Sequence, residues 1–431
     1  MSNDARPRIR RFTAVAVGIT AMALTGCGFV NAPPSDQEEA SGTVTAYVNT
    51  EMTTGLGVVS EAFTEESGLE LDMNSAETAD LNTQLRVQLT SDTAADLLRV
   101  SPGMSSPVAA GVLATAGELA DLSDEPWAAD VDPAMAALAT VDGRLHAFPV
   151  ARNSIAMVYN KAVFEEAGID APPETWSELL DAAEKIAAVG KTPIAAGLAE
   201  GIHLQFYIYA LAASIGFADG TDLNDRQLAG ETSFADDPAW AEVFEKFEAL
   251  FPYFTPDSTG VPPDQAMQEL ARGDAGMHLN VTAALPAIAD YSEEGADAFG
   301  VFVMPGTDDA GDTRLPMAPE FIAINANAKN LEGAKSFLEF FGTQEQVQAY
   351  ADAAGSIPGL SVGASPSNEA LTPILPFVDE GRTAPFANYL WPNGDTQQTL
   401  LQQGVLWVNG DITADEVAQQ MDAKFEMGAP E

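Results

Sequence analysis

Three histidines, His146, His203 and His278, and one cysteine, Cys27, are the residues of this chain most able to serve as base, nucleophile or soft metal ligand. The histidines stand far apart and fall in no HExxH pattern, so no zinc-protease helix is encoded. No G-x-S-x-G elbow is present to strain a serine into the nucleophile position. Gly190-Lys191-Thr192 looks like the tail of a phosphate loop, but the earlier glycine that loop requires falls on Lys185. No GxGxxG follows a strand. The chain carries 64 acidic residues, so some carboxylate pair reaches glycosidase spacing by chance and carries little weight. No cofactor and no metal are expected; a secreted glycoside hydrolase or esterase is the enzymatic reading that remains.

Composition and the N-terminus set the compartment. A formal charge of −45 over 431 residues repels nucleic acid and anionic lipid, and it disfavours an anionic ligand unless a local cationic pocket exists. Arg6, Arg8, Arg10 and Arg11 precede an apolar run from Phe12 to Leu24 that is too short to span a bilayer. Leu24-Thr25-Gly26-Cys27 then resembles a bacterial lipobox, in which the cysteine is lipidated and becomes the first residue after cleavage. With no second cysteine, an intrachain disulfide is impossible. Residues 1–26 are therefore expected as a lipoprotein signal peptide, and residues 27–42 as lipidated Cys27 plus a flexible linker, since NAPPSDQEEASG has almost nothing to bury. No later stretch is long and apolar enough to span a membrane. The expected location is the extracellular face of a Gram-positive-type cell membrane, held by lipid alone.

Hydrophobic periodicity supplies the elements that must position any site. Thr43–Val48 alternates as a strand, and a helix through Val58, Val59, Ala62 and Phe63 ends at Gly68. Leu69–Met73 and Asp96–Val100 are further strands, with a helix over Asp80–Leu89 between them. This β–α–β–α–β rhythm predicts a mainly parallel sheet, with ligand loops after the strands at Asn49–Thr54 and Ser101–Pro107. Asp142-Gly143 marks a turn, and Ile155–Tyr159 is an apolar strand. Thr175-Trp176-Ser177-Glu178 forms a capping-box pattern before a helix whose Trp176, Leu179, Leu180, Ala183 and Ile186 share one face. Thr343-Gln344-Glu345-Gln346 forms another. Trp240, Phe244, Phe247 and Phe251 mark a helix face whose spacing already explains them as core. At 431 residues the chain exceeds one core, and two lobes are expected.

The order of these motifs resembles the extracellular solute-binding proteins of ABC importers, the sugar-binding family that includes maltose-binding protein. The matching stretches are AFTEESGLEL (62–71), AADLLRV (94–100), AAGVLATAGEL (109–119), DGRLHAFPV (142–150) and MVYNKAVFEEAGIDAPPETWSELLDAAEKI (157–186), followed by LARGDAGMHL (270–279), AKSFLEFF with TQEQVQAY (334–350) and GSIPG (355–359). The resemblance implies an α/β, two-lobed periplasmic-binding-protein-like fold of type 2, each lobe a mainly parallel sheet flanked by helices. Lobe 1 would comprise 43–149 plus 318–355, and lobe 2 would comprise 150–317 plus 356–431. Phe148–Asn153 would be the first crossover; segments near Met317–Glu320 and Gly355–Gly359 would be the return crossings.

The same resemblance implies where ligand is held. Asn49 and Glu51 match the polar loop after the first strand, Asn153 an acidic contact past the crossover, and Phe206 a stacking aromatic. Tyr389 and Trp391 lie in the segment that supplies another aromatic, with loop packing as the alternative role for both. Arg152 either donates to sugar hydroxyls or pairs with a nearby acid. Asn280 and Glu320 lie on loops that face the cleft in relatives. Val100 and Gly103 replace a stacking tryptophan and a carboxylate, Asn280-Val281 stands where many relatives carry Gly-Trp, and Ala318-Pro319-Glu320 replaces a Gly-rich loop. The particular sugar is therefore not inherited. The implied function is capture of a carbohydrate, an oligosaccharide first, for delivery to the transmembrane subunits of an ABC permease by a monomer that binds no nucleic acid. A cationic solute such as a polyamine or peptide is the alternative ligand, motivated by the acidic surface, and a surface adhesin or sensor is a third reading.

Overall fold

Two strands, β4 (Phe148–Asn160) and β8 (Leu315–Ile324), run through the middle of the molecule and connect everything else. The computed structural model describes residues 42–218, 220 and 222–428. The expected signal peptide, Cys27 and all but the last residue of the expected linker lie outside the described residues. The remaining strands are β1 (Thr43–Asn49), β2 (Glu70–Ala76), β3 (Leu97–Val100), β5 (Thr192–Ile194), β6 (Ala275–Val281), β7 (Phe299–Phe302), β9 (Ile357–Pro358) and β10 (Thr383–Pro385). They join β4 and β8 in one ten-stranded sheet of order β2-β1-β3-β8-β4-β6-β5, with β7 and β9 on β4 and β10 on β8.

The sheet is parallel across β1, β2 and β3 of the first lobe, as the sequence rhythm called for, but departs from the expected mainly parallel sheet in the second, where β4 opposes β6 and β7 and only β5 with β6 is parallel. β1 pairs parallel with β2 and β3, and β5 with β6. β8 runs antiparallel to β3 and β4, and β4 runs antiparallel to β6, β7 and β9. The reason is directional: β4 carries the chain out of one lobe and β8 carries it back, so the neighbours must oppose. Between Pro149↔Phe321 and Ala151↔Glu320 the register slips, leaving Val150 as an extra residue. Such a bulge changes which side chains alternate on a face; beyond it, the unbroken ladder from Glu320↔Ala151 to Ala318↔Asn153 sets Glu320 diagonally beside Asn153.

Two large apolar cores lie on either side of these crossing strands. One gathers Val44–Ala151 with Phe321–Leu360, including Phe63, Trp127, Phe148, Phe337 and Phe341. The other gathers Ile155–Met304 with Ala384–Phe425, including Tyr207, Trp240, Phe247, Trp391 and Trp407. A smaller core on the far face of β4 holds Val158, Val301, Leu315 and Ile374. This division gives the α/β, two-lobed architecture.

Local chemistry explains most element ends. Gly68 stops its helix at φ 75°, a left-handed position without penalty only for glycine. Asp142 and Gly143, at φ 51° and 76°, close the hairpin of Thr140–Val141 with Arg144–Leu145. The Thr175–Glu178 capping box forms, with the Thr175 hydroxyl accepting from the Glu178 N–H and the Glu178 carboxylate accepting from the Thr175 N–H. The expected box at Thr343 does not. Its hydroxyl donates to the Phe340 carbonyl of the preceding helix at 2.9 Å, because only Gly342 and Thr343 separate the two helices. Thr413 and Glu416 form a second box.

Candidate functional site

A cavity of about 450 Å³ opens between the two large cores. One wall comes from Asn82, on the helix Thr78–Thr90, from Arg99 of β3, and from Ser101, Pro102, Ser105, Ser106 and Pro107 of the loop that follows. The opposing wall comes from Gln205 and Tyr209, on the helix Ile202–Ile215, and from the segment Phe386–Gln398. The loop at Ser101–Pro107 thus lies where the sequence placed a ligand loop. A carboxyl-terminal strand end is a natural place for such a loop, because the backbone groups leaving the sheet are free to meet a ligand.

The second wall is aromatic and amidic. Tyr389 stacks on Phe386 with ring centroids 5.5 Å apart and planes 9° apart, and Tyr209 leans on Phe386 at 5.6 Å. The carbonyl of Gln205 accepts from both the Tyr209 hydroxyl at 3.0 Å and the Gln397 amide at 2.8 Å. Burial pushes the Tyr389 hydroxyl up to about 12 against the pull of Arg99, with Glu320 adding to the rise, so it stays a neutral donor–acceptor. Rings with polar tips and paired amides are what a polyhydroxylated ring with apolar C–H faces requires.

Arg99 is the cation of the cavity. Burial lowers its pKa, while Tyr389, Glu320 and Glu51 oppose that fall, and its Nη1 donates to Ser101 Oγ at 2.9 Å. Glu320 Oε1 accepts from Asn153 Nδ2 at 2.7 Å, and its Oε2 accepts from the Tyr350 hydroxyl at 3.5 Å. Burial raises the Glu320 pKa, partly offset by the Asn153 hydrogen bond and by Arg99, with Glu51 pushing it up further. Asn49, at the end of β1, donates to Thr78 Oγ1 at 3.0 Å and so ties that strand to the helix bearing Asn82.

The expected site residues divide accordingly. Tyr389 lines the cavity; Glu51, Asn153 and Glu320 do not line it, though Glu51 and Glu320 act electrostatically on Arg99 and Asn153 bonds Glu320. Four others are engaged by the protein itself. Trp391 is fully buried against Tyr209, Phe234 and Trp240, leaving no ring face for a sugar, so its role is packing. Arg152 is buried and donates to the Gly359 carbonyl and to Ser361 Oγ, with Asp132 at 3.9 Å, so it binds the crossing strands together. Asn280 uses its amide on His278 Nε2 and on the Val281 N–H. Phe206 is buried edge-on to His203 at 5.2 Å and is not part of the cavity wall.

Sequence reasoning passed over Arg99, Asn82, Gln205, Tyr209 and Phe386. Arg99 had a signal: it is one of only 19 basic residues, set between Leu98 and Val100 in a short buried strand. The others had none, since amides and aromatics on helices read equally well as surface or core. Among the described residues no cluster of His, Cys, Asp and Glu could hold a metal ion, and no helix is long and apolar enough to cross a membrane.

Comparison with known proteins agrees with this fold. A family model described as bacterial extracellular solute-binding protein matches residues 59–370. The multiple sugar-binding protein of Streptococcus mutans serotype c is 23% identical over 382 residues, covering 87% of each chain. Among solved structures, RafE in complex with raffinose is similar with a TM-score of 0.74 at 23% identity, over 90% of this chain and 100% of that one. A chitin oligosaccharide binding protein is similar with a TM-score of 0.73 at 21% identity, over 90% and 98% of the two chains.

Proposed function

We propose that this chain, which belongs to the bacterial extracellular solute-binding proteins, captures a neutral oligosaccharide between its lobes and delivers it to an ABC permease. The observation that carries this is the cavity between the two cores, where three stacked or leaning rings, paired amides and serine hydroxyls surround a single arginine balanced by carboxylates. Solved neighbours are described with raffinose, with chitin oligosaccharide and with the monosaccharide β-D-galactopyranose, which supports a sugar ligand; the oligosaccharide is our reading from the length of the cavity wall. The wall sets one cation, Arg99, against Asp395, so the cavity lacks the excess of carboxylates that would select a cationic solute.

In this reading lobe 1 is residues 43–149 plus 318–355, lobe 2 is residues 150–317 plus 356–431, and the ladder of β4 with β8 and β9 is the hinge on which they close. Tyr389 stacks on the sugar, while Arg99, Glu320, Asn153 and Glu51 meet its hydroxyls; the protein binds without turning over its ligand. Cys27 carries the lipid that holds a monomer outside the membrane beside the permease. Titration calorimetry against neutral oligosaccharides and against polyamines tests the ligand class. Tight polyamine binding with silence toward every sugar would sink it. Intact mass of membrane-extracted protein tests the anchor, which requires loss of the first 26 residues and addition of a diacylglyceryl group to Cys27.

A further inference from the structure

Two of the chain's three histidines come together in the interior, His203 and His278, with ring centroids 6.0 Å apart and planes at 35°. Both are buried, His278 on β6 and His203 in the first turn of the helix Ile202–Ile215. His278 Nδ1 is 2.9 Å from the Ala195 carbonyl. A carbonyl only accepts, so that nitrogen carries the proton, and Nε2 accepts from the Asn280 amide at 3.0 Å. This fixes which way round the amide lies: its NH2 meets His278, and its Oδ1 accepts from the Val281 N–H at 2.8 Å. His203 also hydrogen-bonds Asn280, and its Nδ1 is enclosed with no hydrogen-bond partner among the described residues. One amide between two neutral rings thus joins a strand to the first turn of a helix.

That helix supplies part of the cavity wall. Gln205 and Tyr209 follow His203 along it, and the Gln205 carbonyl accepts from both Tyr209 and Gln397. We propose that His203, acting through Asn280 and His278, positions this wall, so that a proton taken up by the pair loosens the helix and weakens sugar capture. The proposal rests on the oligosaccharide reading above and adds its regulation. Neither ring accepts a proton in place. A proton on His278 Nε2 sets two N–H donors against each other across 3.0 Å, relieved only if the amide turns over and lets go of Val281. A proton on His203 Nδ1 makes a buried donor without an acceptor, at the positive end of its helix and 6.0 Å from the other ring. Glu200, just before the helix, and Asp264, on the helix Pro263–Ala271, pull His203 toward the charged form, but its burial outweighs them and lowers its pKa. Phe206 meets it edge-on and carries no charge. Burial lowers the His278 pKa to about 4, with His203 adding to the fall and the Ala195 hydrogen bond opposing it. Its neighbours Val158 on β4 and Ala195 beyond β5 are uncharged. The pair is therefore neutral above pH ~6.5 and gains protons as pH falls toward about 4. If sugar holds the wall in place, it holds the rings neutral, so binding in acid must expel a proton and affinity must fall with pH.

The experiment is calorimetric titration of the unmodified protein and of His203→Gln with raffinose, maltotriose and triacetylchitotriose from about pH 8 to about pH 5, the best-binding sugar being repeated at about pH 5.5 in acetate and in MES. The unmodified protein should hold its affinity above pH ~6.5 and lose about tenfold by about pH 5, and its binding heats in the two buffers should differ in the sense of proton release. His203→Gln keeps a donor for Asn280 and does not titrate. Its affinity, whatever its value at neutral pH, should vary by less than about threefold over the range, with equal heats in both buffers. Proton NMR of the unmodified protein needs no variant to fold: the ring signals of His203 and His278 should titrate at lower pH when sugar is bound, while those of His146, bonded to the Ala120 carbonyl, should titrate alike with and without it. A fall in affinity as steep in His203→Gln as in the unmodified protein would overturn the proposal and assign the fall to Glu320, whose buried carboxyl is raised toward the same range. A flat profile in the unmodified protein, or rings that titrate alike with and without sugar, would also overturn it while leaving sugar capture intact. Failure of the unmodified protein to bind any of the three sugars at about pH 7.5 would overturn it and count against the capture reading beneath it.

Discussion

Trp391 and Tyr389 are two residues apart, and the structure gives them opposite work. Tyr389 shows one ring face to Phe386 and its hydroxyl end to the charged cluster around Arg99, whereas Trp391 is closed in by Tyr209, Phe234 and Trp240. The turn Ala387–Leu390 reverses direction between them, so one side chain faces the cavity and the next aromatic faces the core. Trp391→Ala should therefore cost about 3–5 kcal/mol of folding stability by cavity creation. Denaturant melts will read that loss, and sugar affinity of the folded fraction should change little. Arg152 follows the same logic. A guanidinium that is 3% exposed holds two crossing segments through Gly359 and Ser361, and Gly359 leaves room for nothing larger, since an added Cβ would collide with the Pro149 carbonyl. The crossing segments are held by a buried cation and a glycine.

At the scale of elements, caps and a buried histidine give the clearest expectations. Thr175→Ala and Thr413→Ala each remove a formed capping box and should cost about 1 kcal/mol, while Thr343→Ala removes no cap and should cost less. Comparing the three in urea melts checks the assignment. Strand β6 carries His278, fully enclosed, with Nδ1 on the Ala195 carbonyl at 2.9 Å and Nε2 at 3.0 Å from the Asn280 amide. Burial lowers its pKa to about 4, helped by His203 nearby and opposed by the Ala195 hydrogen bond. The folded protein thus holds neutral imidazole where the unfolded chain binds a proton. Its contribution is complete above pH ~6.5 and is lost as pH falls toward about 4. Stability measured across that window should decline, and His278→Gln should flatten the decline.

Across the whole molecule, charge acts over the longest range. A formal charge of −45 makes the folded surface repel itself, and salt screens that repulsion. Raising ionic strength from about 0.01 M, where the Debye length is roughly 30 Å, to about 1 M, where it is roughly 3 Å, should raise the melting temperature. Affinity for a neutral sugar should stay nearly constant over the same range, whereas affinity for a polyamine would fall steeply. The pair of measurements separates the effect of the outer surface from the chemistry of the cavity. The acidity belongs to the surface: the cavity wall itself carries Arg99 against Asp395, amides and rings.

Much of this protein could be read from the chain alone because its causes are local. Period-two and period-3.6 patterns placed β1, β2, β3 and the helices between them; Gly68, Asp142-Gly143 and the Thr175 box act through their own backbone; and the motif order from AFTEESGLEL to GSIPG indicated the family. The loop at Ser101–Pro107 was legible as a cavity-lining loop because it follows a strand end. What only the tertiary structure decided depends on residues far apart in sequence. The antiparallel run of β4 against β8, and the register that sets Glu320 beside Asn153, follow from a chain that leaves a lobe and returns more than 150 residues later. The hydrogen-bond partners of Arg152 are more than 200 residues away, and those of Trp391 lie on helices its own segment does not reveal. Whether an arginine staples a hinge or meets a sugar, and whether an aromatic fills a core or faces a cleft, is set by what packs against it from the distant chain. No local pattern encodes that.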